Sequence, residues 1–278
     1  MKIVFWSPVH GQTGLTSNIL VLSLLSSIVY KKNCLVTQTH FNYNNLEAPL
    51  IERNSKSASD YFLDVGIDAL VRNFKAERLD RELVENCCIN LNNTRLSLLP
   101  GTTKTNRESF DYSIGMVIPR IFVAMDQFYD YIFVDTNPGM KELSIRLVQE
   151  AELTVINLSQ NLEIINLYFK HYDKMIPGKK FFLFGAYDLN SKYNINNIRK
   201  KYAGITKANS GVIPYNTAFK DAIIDSRVIE FIKKNLNTNN LSDNHYFISK
   251  SLSAAEKILN LTDYKYPWER RSLDAPRE

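Results

Sequence analysis

Short apolar runs alternate along the chain with longer, mixed stretches, as in proteins whose strands and helices follow one another. The runs rich in Val, Ile, Leu and Phe predict strands at residues 2–9, 34–39, 96–100, 131–134, 153–158, 180–184 and 211–214. Most of them are continuously apolar rather than alternating, which is typical of strands buried on both faces. We therefore expect an α/β fold with a mostly parallel sheet flanked by helices.

No repeat, low-complexity linker or change of composition interrupts residues 1–261, so we expect a single domain there. Residues 262–278 are polar, contain Pro267 and Pro276, and are predicted to form a C-terminal tail. The formal net charge of +5 permits contact with nucleic acid or anionic lipid but does not require it.

The N-terminal stretch 3–30 has no charged side chain, yet its polar residues between 7 and 18 break the run of about 20 apolar residues that a membrane span needs. A small-residue cleavage site of the secretory type is not apparent. The cysteines (Cys34, Cys87 and Cys88) are odd in number and lack C-x-x-C spacing, which argues against a disulfide framework and a zinc site. We expect a cytoplasmic protein without a membrane anchor.

A candidate phosphate-binding loop follows the first predicted strand. Gly11 and Gly14 are three residues apart, Thr16 and Ser17 come next, and an apolar helix is predicted over 19–30. Glycines let successive backbone N–H groups point at an anion, and the N-terminal end of the helix adds a positive field. The standard pattern has lysine at position 15, whereas this chain has leucine, which cannot neutralise a phosphate.

A second candidate feature lies at residues 128–139, where an apolar strand ends in Asp135 and the polar turn 136–139 follows. In open α/β folds ligands bind at the carboxyl ends of the strands. A carboxylate there, together with the hydroxyl of Thr16, offers oxygen ligands for Mg²⁺. The two features together favour a binding site over an ordinary strand-ending turn.

Taken together, HGQTGLTS, YDYIFVDTNPG, AELTVINLSQN and GVIPYN resemble the ParA/MinD group of P-loop ATPases, over roughly residues 1–230. The resemblance implies a three-layer P-loop NTPase fold, ATP and Mg²⁺ as ligands, and a homodimer. The implied nucleotide-binding residues are His10, Gly11, Gln12, Thr13, Gly14, Leu15, Thr16 and Ser17, with Pro214, Tyr215 and Asn216 on the adenine side. The implied metal-binding residues are Thr16 and Asp135.

The loop departs from the deviant Walker A pattern of this group. His10 replaces the signature lysine, Leu15 replaces the P-loop lysine, and residues 37–42 lack the aspartate that orients the attacking water in the group. Each such group contributes a few kcal/mol to transition-state stabilisation, so we expect weak or absent ATP hydrolysis. Such degenerate loops resemble those of the TadZ-like relatives, which are implicated in positioning pilus or secretion machinery.

Three functions remain open at this point. The first is an ATP-binding dimeric switch that positions or organises a larger assembly of the pilus, secretion or partitioning type through a protein partner. The second is a nucleotide-free scaffold with the fold of an ATPase. The third is an active partitioning ATPase that binds DNA through basic residues such as Arg199–Lys201. The retained glycines, Thr16 and Asp135 favour the first over the second, and the lost lysines weigh against the third.

Overall fold

The computed structural model describes residues 1–40, 46–51, 65–76, 80–102, 115, 117–237 and 242–262. These residues contain an eight-stranded sheet with the strand order β3-β4-β2-β5-β1-β6-β7-β8. The strands are β1 Lys2–Trp6, β2 Cys34–Gln38, β3 Ile89–Asn90, β4 Leu96–Leu99, β5 Tyr131–Asp135, β6 Leu153–Leu158, β7 Lys180–Tyr187 and β8 Ser210–Pro214. All neighbouring strands are parallel except β3 and β4, which are antiparallel.

Helices cover both faces of this sheet. Those described are α1 Leu15–Ile28, α2 Glu47–Leu50, α3 Gly66–Lys75, α4 Arg81–Asn86, α5 Ile118–Met125, α6 Glu142–Gln149, α7 Leu162–Leu167, α8 Ile195–Lys201, α9 Thr217–Ile224, α10 Val228–Asn235 and α11 Asp243–Thr262, with a π-helical turn at Tyr168–Tyr172 after α7. Helices α3 to α8 contribute to one buried apolar cluster, and α1, α2 and α9 to α11 contribute to the other. The fold is therefore a three-layer α/β sandwich, as the sequence predicts.

The central strand β1 explains why the apolar runs are continuous. Val4 and Trp6 belong to the cluster on one face of the sheet, and Ile3 and Phe5 belong to the cluster on the other. Helix α1 packs against the sheet and against the neighbouring α11, with residues 18–27 buried, which accounts for the absence of charge in this stretch. No helix in the described ranges is long and apolar enough to cross a membrane.

The structure corrects several predicted boundaries. Strand β1 ends at Trp6 rather than at residue 9, and α1 begins at Leu15 rather than at residue 19. The short antiparallel strand β3 was not predicted, because two residues carry no periodic pattern. Helix α11 extends to Thr262, and residues 263–278 of the predicted tail lie outside the described residues.

Candidate functional site

A cleft opens at the carboxyl edge of the sheet, between the loop that follows β1 and the end of β5. Its volume is about 210 Å³. Clefts that bury a whole drug-sized ligand are larger, about 300–1,000 Å³, so this cleft suits a group of phosphate size on a larger ligand. It is lined by Ser7, Val9, His10, Gly11, Thr13, Gly14, Leu15, Thr16, Ser17, His40, Asp135, Thr136 and Pro138.

The backbone of the loop is arranged for an anion. Gly11 (φ 74°) and Gly14 (φ 64°) both adopt the left-handed conformation that L side chains rarely occupy. Gly14 is the N-cap of α1, so the helix begins directly at the cleft, and no acidic residue lies in its first turn. The unpaired N–H groups and the dipole of a helix N-terminus attract negative charge. The loop therefore presents two left-handed glycines and a helix N-terminus at the cleft, and phosphate binding there stays a prediction.

Buried polar side chains hold the loop in place. Thr13 Oγ1 donates to Ser7 Oγ (3.1 Å), and Ser7 Oγ donates to the carbonyl of Val9 (2.9 Å). The amide of Asn18 donates to the carbonyl of Thr13 (3.2 Å) and to Asn157 Oδ1 (2.9 Å). Asn157 in turn donates to the carbonyl of Trp6 (3.3 Å). This network links the loop to β1 and β6, so the loop is ordered by the protein itself.

Strand β7 packs closely against the same loop at Gly185. A Cβ atom at Gly185 would lie 2.6 Å from the amide nitrogen of Asn18 and closer still to the carbonyl oxygen of Thr13. Only glycine allows the two backbones to approach so closely. On the other side, the indole of Trp6 donates to the carbonyl of Gly139 (2.9 Å), which fixes the turn after β5.

Asp135 and Thr16 line the cleft and are hydrogen-bonded to each other. The hydroxyl of Thr16 donates to Asp135 Oδ2 at 2.9 Å, and Asp135 is only 2% exposed. A hydroxyl and a carboxylate beside a phosphate-binding loop are oxygen ligands of the kind that Mg²⁺ prefers. Because this buried carboxylate faces the helix N-terminus that would receive the phosphates, the residues present fit a magnesium ion.

His40 is a cleft residue that was not singled out from the sequence. It follows β2, is 6% exposed, and places Nε2 at 3.5 Å from Asp135 Oδ1. The register of the sheet explains this proximity, since Gln38 at the end of β2 pairs with Asp135 at the end of β5. The position of His40 directly after an apolar strand is a signal that could have pointed to it.

The part of the cleft lining that the structure describes carries no strongly basic side chain. Among the described residues that line it, none is lysine or arginine. Leu15 is half-buried and packs against the apolar cluster around α1. His10 is exposed at the rim. The arrangement can therefore bind an anion through backbone groups, the helix N-terminus and a metal ion.

The remaining predicted residues lie away from the cleft lining. Gln12 is exposed on the loop. Pro214 ends β8, Tyr215 is 56% exposed, and its N–H donates to the carbonyl of Tyr187 at 3.0 Å. Asn216 caps α9 by accepting from the N–H of Phe219 (2.7 Å). Contact of residues 214–216 with an adenine stays a prediction.

Comparisons with known proteins extend this description. No family model matches the chain, and no curated protein matches it. Among solved structures, the chain is similar to the ParA family ATPase of Chlorobium tepidum TLS, with a TM-score of 0.71, 14% identity, and 92% of this chain and 98% of that one covered. It is also similar to the septum site-determining protein MinD of Pyrococcus horikoshii OT3 complexed with Mg-ADP, with a TM-score of 0.69, 14% identity, and 96% and 100% covered.

A third similar structure is a putative plasmid partition protein of Borrelia burgdorferi B31 bound to AMPPNP. Its TM-score is 0.62, its identity is 14%, and 93% of this chain and 98% of that one are covered. At such identities a likeness establishes the fold alone. The chain has the P-loop NTPase fold of the MinD and ParA ATPases, which confirms the predicted fold class.

Proposed function

We propose that this protein is a MinD/ParA-like nucleotide-binding switch that binds ATP with a divalent cation and hydrolyses it weakly or not at all. In this proposal two copies dimerise and organise a larger assembly through a protein partner. The observation that carries the proposal is the loop that precedes α1. In this loop Gly11 and Gly14 are left-handed, and they line the same cleft as the hydrogen-bonded pair Thr16 and Asp135.

The geometry of the loop supports binding of the triphosphate. The N–H groups of residues 11–17 and the dipole of α1 attract the phosphate oxygens without any lysine. Thr16 and Asp135 would hold the cation, which supplies charge neutralisation between the phosphates. Because Asn18 and Asn157 already order the loop, little conformational entropy is lost when the ligand binds.

Weak hydrolysis follows from the groups that are missing. Leu15 contributes no charge to the phosphates, and His10 stands at the rim where the group has its signature lysine. Removing one preorganised donor to a developing charge typically costs about 2.7–4 kcal/mol in the barrier. Losing two such contacts and the water-orienting aspartate is expected to slow turnover by several orders of magnitude.

Dimerisation is supported by exposed apolar side chains on segments at the carboxyl edge of the sheet. Met140, Leu189, Tyr193 and Tyr215 lie on the segments after β5, β7 and β8 and are 38–61% exposed. These segments leave the sheet at its carboxyl edge, which is the edge that carries the cleft. A second copy facing this edge would cover both the apolar side chains and the bound nucleotide.

Calorimetric titration with Mg-ATP tests the binding proposal. We expect saturable binding by the unaltered protein and at least about tenfold weaker binding by Thr16→Ala, because a hydrogen bond to a charged group contributes about 1.5–3 kcal/mol. Ser253→Ala, which removes an exposed hydroxyl on α11, is the matched control and should bind normally. Absence of binding at millimolar ATP would favour the nucleotide-free scaffold.

The dimer and the turnover are tested separately. Sedimentation velocity with and without AMPPNP should show a shift from monomer to dimer on nucleotide addition. Phosphate release should stay near the background rate in the same samples. Rapid turnover would show that the missing lysines and aspartate have been replaced by groups that perform their roles.

A second candidate function, binding to DNA, is supported by a cluster of cations near β8. Lys257 donates to the carbonyls of Lys207 and Ser210 (both 3.0 Å), and Arg199 donates to Ser210 Oγ. Burial lowers the pKa of Lys257, and the positive charges of Arg199, Lys207 and Lys250 lower it further.

Retention on duplex DNA tests this second function. If the cluster binds phosphates, affinity should fall steeply with salt, and Lys207→Gln with Lys250→Gln should reduce the salt slope by about one for each lost contact. Both lysines are exposed, so these variants should keep their stability. Retention that does not respond to salt would exclude the cluster as a DNA site.

A further inference from the structure

Strand β3 forms one end of the sheet. Within the part of the chain that the structure describes, its residues Ile89 and Asn90 pair with β4 alone. The N–H of Leu91 donates to the carbonyl of Leu96 (3.0 Å), so Leu91 directs its backbone toward β4. Successive residues of an antiparallel strand direct their backbone groups to opposite sides, so the N–H and C=O of Asn90 face away from the sheet. Such an edge is a template for another extended chain.

An apolar cavity lies on one face of this edge. Its volume is about 550 Å³. Ile89 and Leu91 face the buried cluster to which α2 and α10 contribute, and the cavity lies between these elements. Its apolar lining includes Leu50, Ile51, Ile89, Leu91 and Ile229. The lining also contains the charged residues Arg227, Glu230 and Lys233. The cavity therefore suits an apolar side chain whose neighbours are polar.

A basic cavity, of about 440 Å³, lies on the other face of the same edge. Asn90 points to this face, because its Oδ1 accepts from the hydroxyl of Ser97 (2.7 Å), and Ser97 lies between two leucines that point to the first face. Arg81 and Arg95 line this cavity, and no carboxylate lines it among the described residues. The cavity therefore attracts negative charge.

The two arginines of the basic cavity are already oriented. Nε of Arg81 donates to Glu85 Oε1 (2.8 Å), and Nη1 of Arg95 donates to the carbonyl of Lys31 (3.0 Å). A guanidinium carries five N–H donors, so each arginine can also donate to a carboxylate of a ligand. Hydrogen bonds of this charge-assisted kind are among the stronger ones in proteins.

The side chains of an extended peptide alternate between the two faces of a sheet. A peptide paired with β3 would send one set of side chains to the apolar cavity and the other set to the basic cavity. We propose that the outer edge of β3 is a docking site for an extended segment of a partner protein in which apolar and acidic residues alternate. Main-chain hydrogen bonds to Asn90 give affinity in this mode of recognition, and the two cavities give specificity.

Charge favours such a partner over a second copy of this chain. Two copies joined antiparallel through β3 would be related by a two-fold axis perpendicular to the sheet. Arg81 and Arg95 of both copies would then lie on the same face, where like charges repel. An acidic segment meets no such repulsion.

The inference deepens the proposed function, on which it rests only for the idea that a protein partner exists. Strand β3 is at the end of the sheet, whereas the nucleotide cleft lies at the carboxyl ends of β1 and β5. Peptide binding is measured without nucleotide, so the docking site and the nucleotide site can fail separately.

The probe is a fluorescein-labelled hexapeptide of alternating isoleucine and glutamate, titrated with the whole chain and followed by fluorescence anisotropy. We expect saturable binding at least about tenfold tighter than that of the peptide with lysine in place of glutamate, because the arginines repel lysine. A peptide of three isoleucines followed by three glutamates should also bind more weakly, because it cannot serve both cavities. Absence of saturable binding, or equal affinity for the three peptides, would overturn the proposal.

Variants of the basic cavity test its role. Arg81→Gln combined with Arg95→Gln should weaken binding of the alternating peptide at least about tenfold, because charge-assisted hydrogen bonds are lost. Both arginines are exposed, so the protein should keep its stability. Lys234→Gln is the matched control, since Lys234 is an exposed residue of α10 outside both linings. Equal affinity of the double variant and the control would overturn the proposal.

Asn90→Pro tests the main-chain pairing. Proline removes the outward N–H and leaves the pairing with β4 in place, as on other edge strands. It should bind the alternating peptide at least about fivefold more weakly than Asn90→Ala, which loses the same side chain but keeps the N–H. Equal affinities would overturn the edge pairing. A dimer that sedimentation velocity detects without peptide or nucleotide, and that Asn90→Pro abolishes, would show that a second copy occupies the edge and would overturn the proposed partner.

Discussion

Gly185 is the position where a single methyl group should disturb the loop most directly. Alanine there would place Cβ 2.6 Å from the amide nitrogen of Asn18, and real Cβ atoms essentially never come within 3.0 Å of another heavy atom. The carbonyl oxygen of Thr13 lies closer still and belongs to the backbone, which cannot rotate away. The loop must therefore move away from β7.

The cost of Gly185→Ala can be worked out from these contacts. Overpacking of this kind costs about 1–3 kcal/mol, and a broken buried hydrogen bond between Asn18 and Thr13 adds about 1–3 kcal/mol. We expect the free energy of unfolding to fall by about 2–6 kcal/mol. Affinity for ATP should fall at least about tenfold, because the N–H groups that face the phosphates are displaced.

Urea unfolding and calorimetric titration measure the two effects. Gly178→Ala is the matched control, since Gly178 has φ 75° and open space around its Cβ position. It should cost about 1–2 kcal/mol in stability from the left-handed backbone and leave ATP affinity unchanged. A Gly185→Ala protein that unfolds at the same urea concentration as the unaltered one and binds ATP equally well would refute the close packing of the loop on β7.

Four further predictions rest on the same structure. Leu15→Lys should raise ATP affinity by about 10–100-fold through a charge-assisted contact of about 1.5–3 kcal/mol, measured against Leu15→Met as the neutral control, and equal affinities would contradict it. Asn157→Ala should lower the free energy of unfolding by about 2–3 kcal/mol in urea titrations, because buried partners lose their hydrogen bonds, and unchanged stability would contradict the network. Burial raises the pKa of Cys34, Cys87 and Cys88, in the case of Cys88 to about 12, so these thiols should react with a thiol reagent at pH 8 only after unfolding. Rapid labelling of the folded protein at pH 8 would contradict this. For the same reason the free energy of unfolding should fall as pH rises above about 9, where the thiols of the unfolded chain ionise first, and a constant free energy of unfolding over this pH range in urea titrations would contradict it.

The sheet could be predicted because its strands are buried on both faces. Such strands need continuous apolar residues, and β1, β5 and β6 show them clearly. The edge strand β3 has two residues and only one neighbour, so its sequence carries no comparable pattern. The start of α1 was misplaced because the polar residues of its first turn, Thr16 and Ser17, face the cleft rather than the core.

The candidate site was predictable only where one segment contains its chemistry. The glycines and Thr16 lie on one continuous segment, and Asp135 ends a strongly apolar strand. His40 and Asn157 reach the site through the register of separate strands, which a single sequence does not reveal. Gly185 did carry a signal, since an isolated glycine within a strand often marks a close backbone contact.

The central claim is that the loop at residues 11–17 binds the phosphates of a nucleotide. Hydrogen exchange of its backbone amides, with and without Mg-ATP, tests this most directly, because those N–H groups are the proposed ligands. The account predicts that exchange slows in residues 11–17 and at the start of α1 when Mg-ATP is added. Unchanged exchange in this loop at saturating Mg-ATP would contradict it.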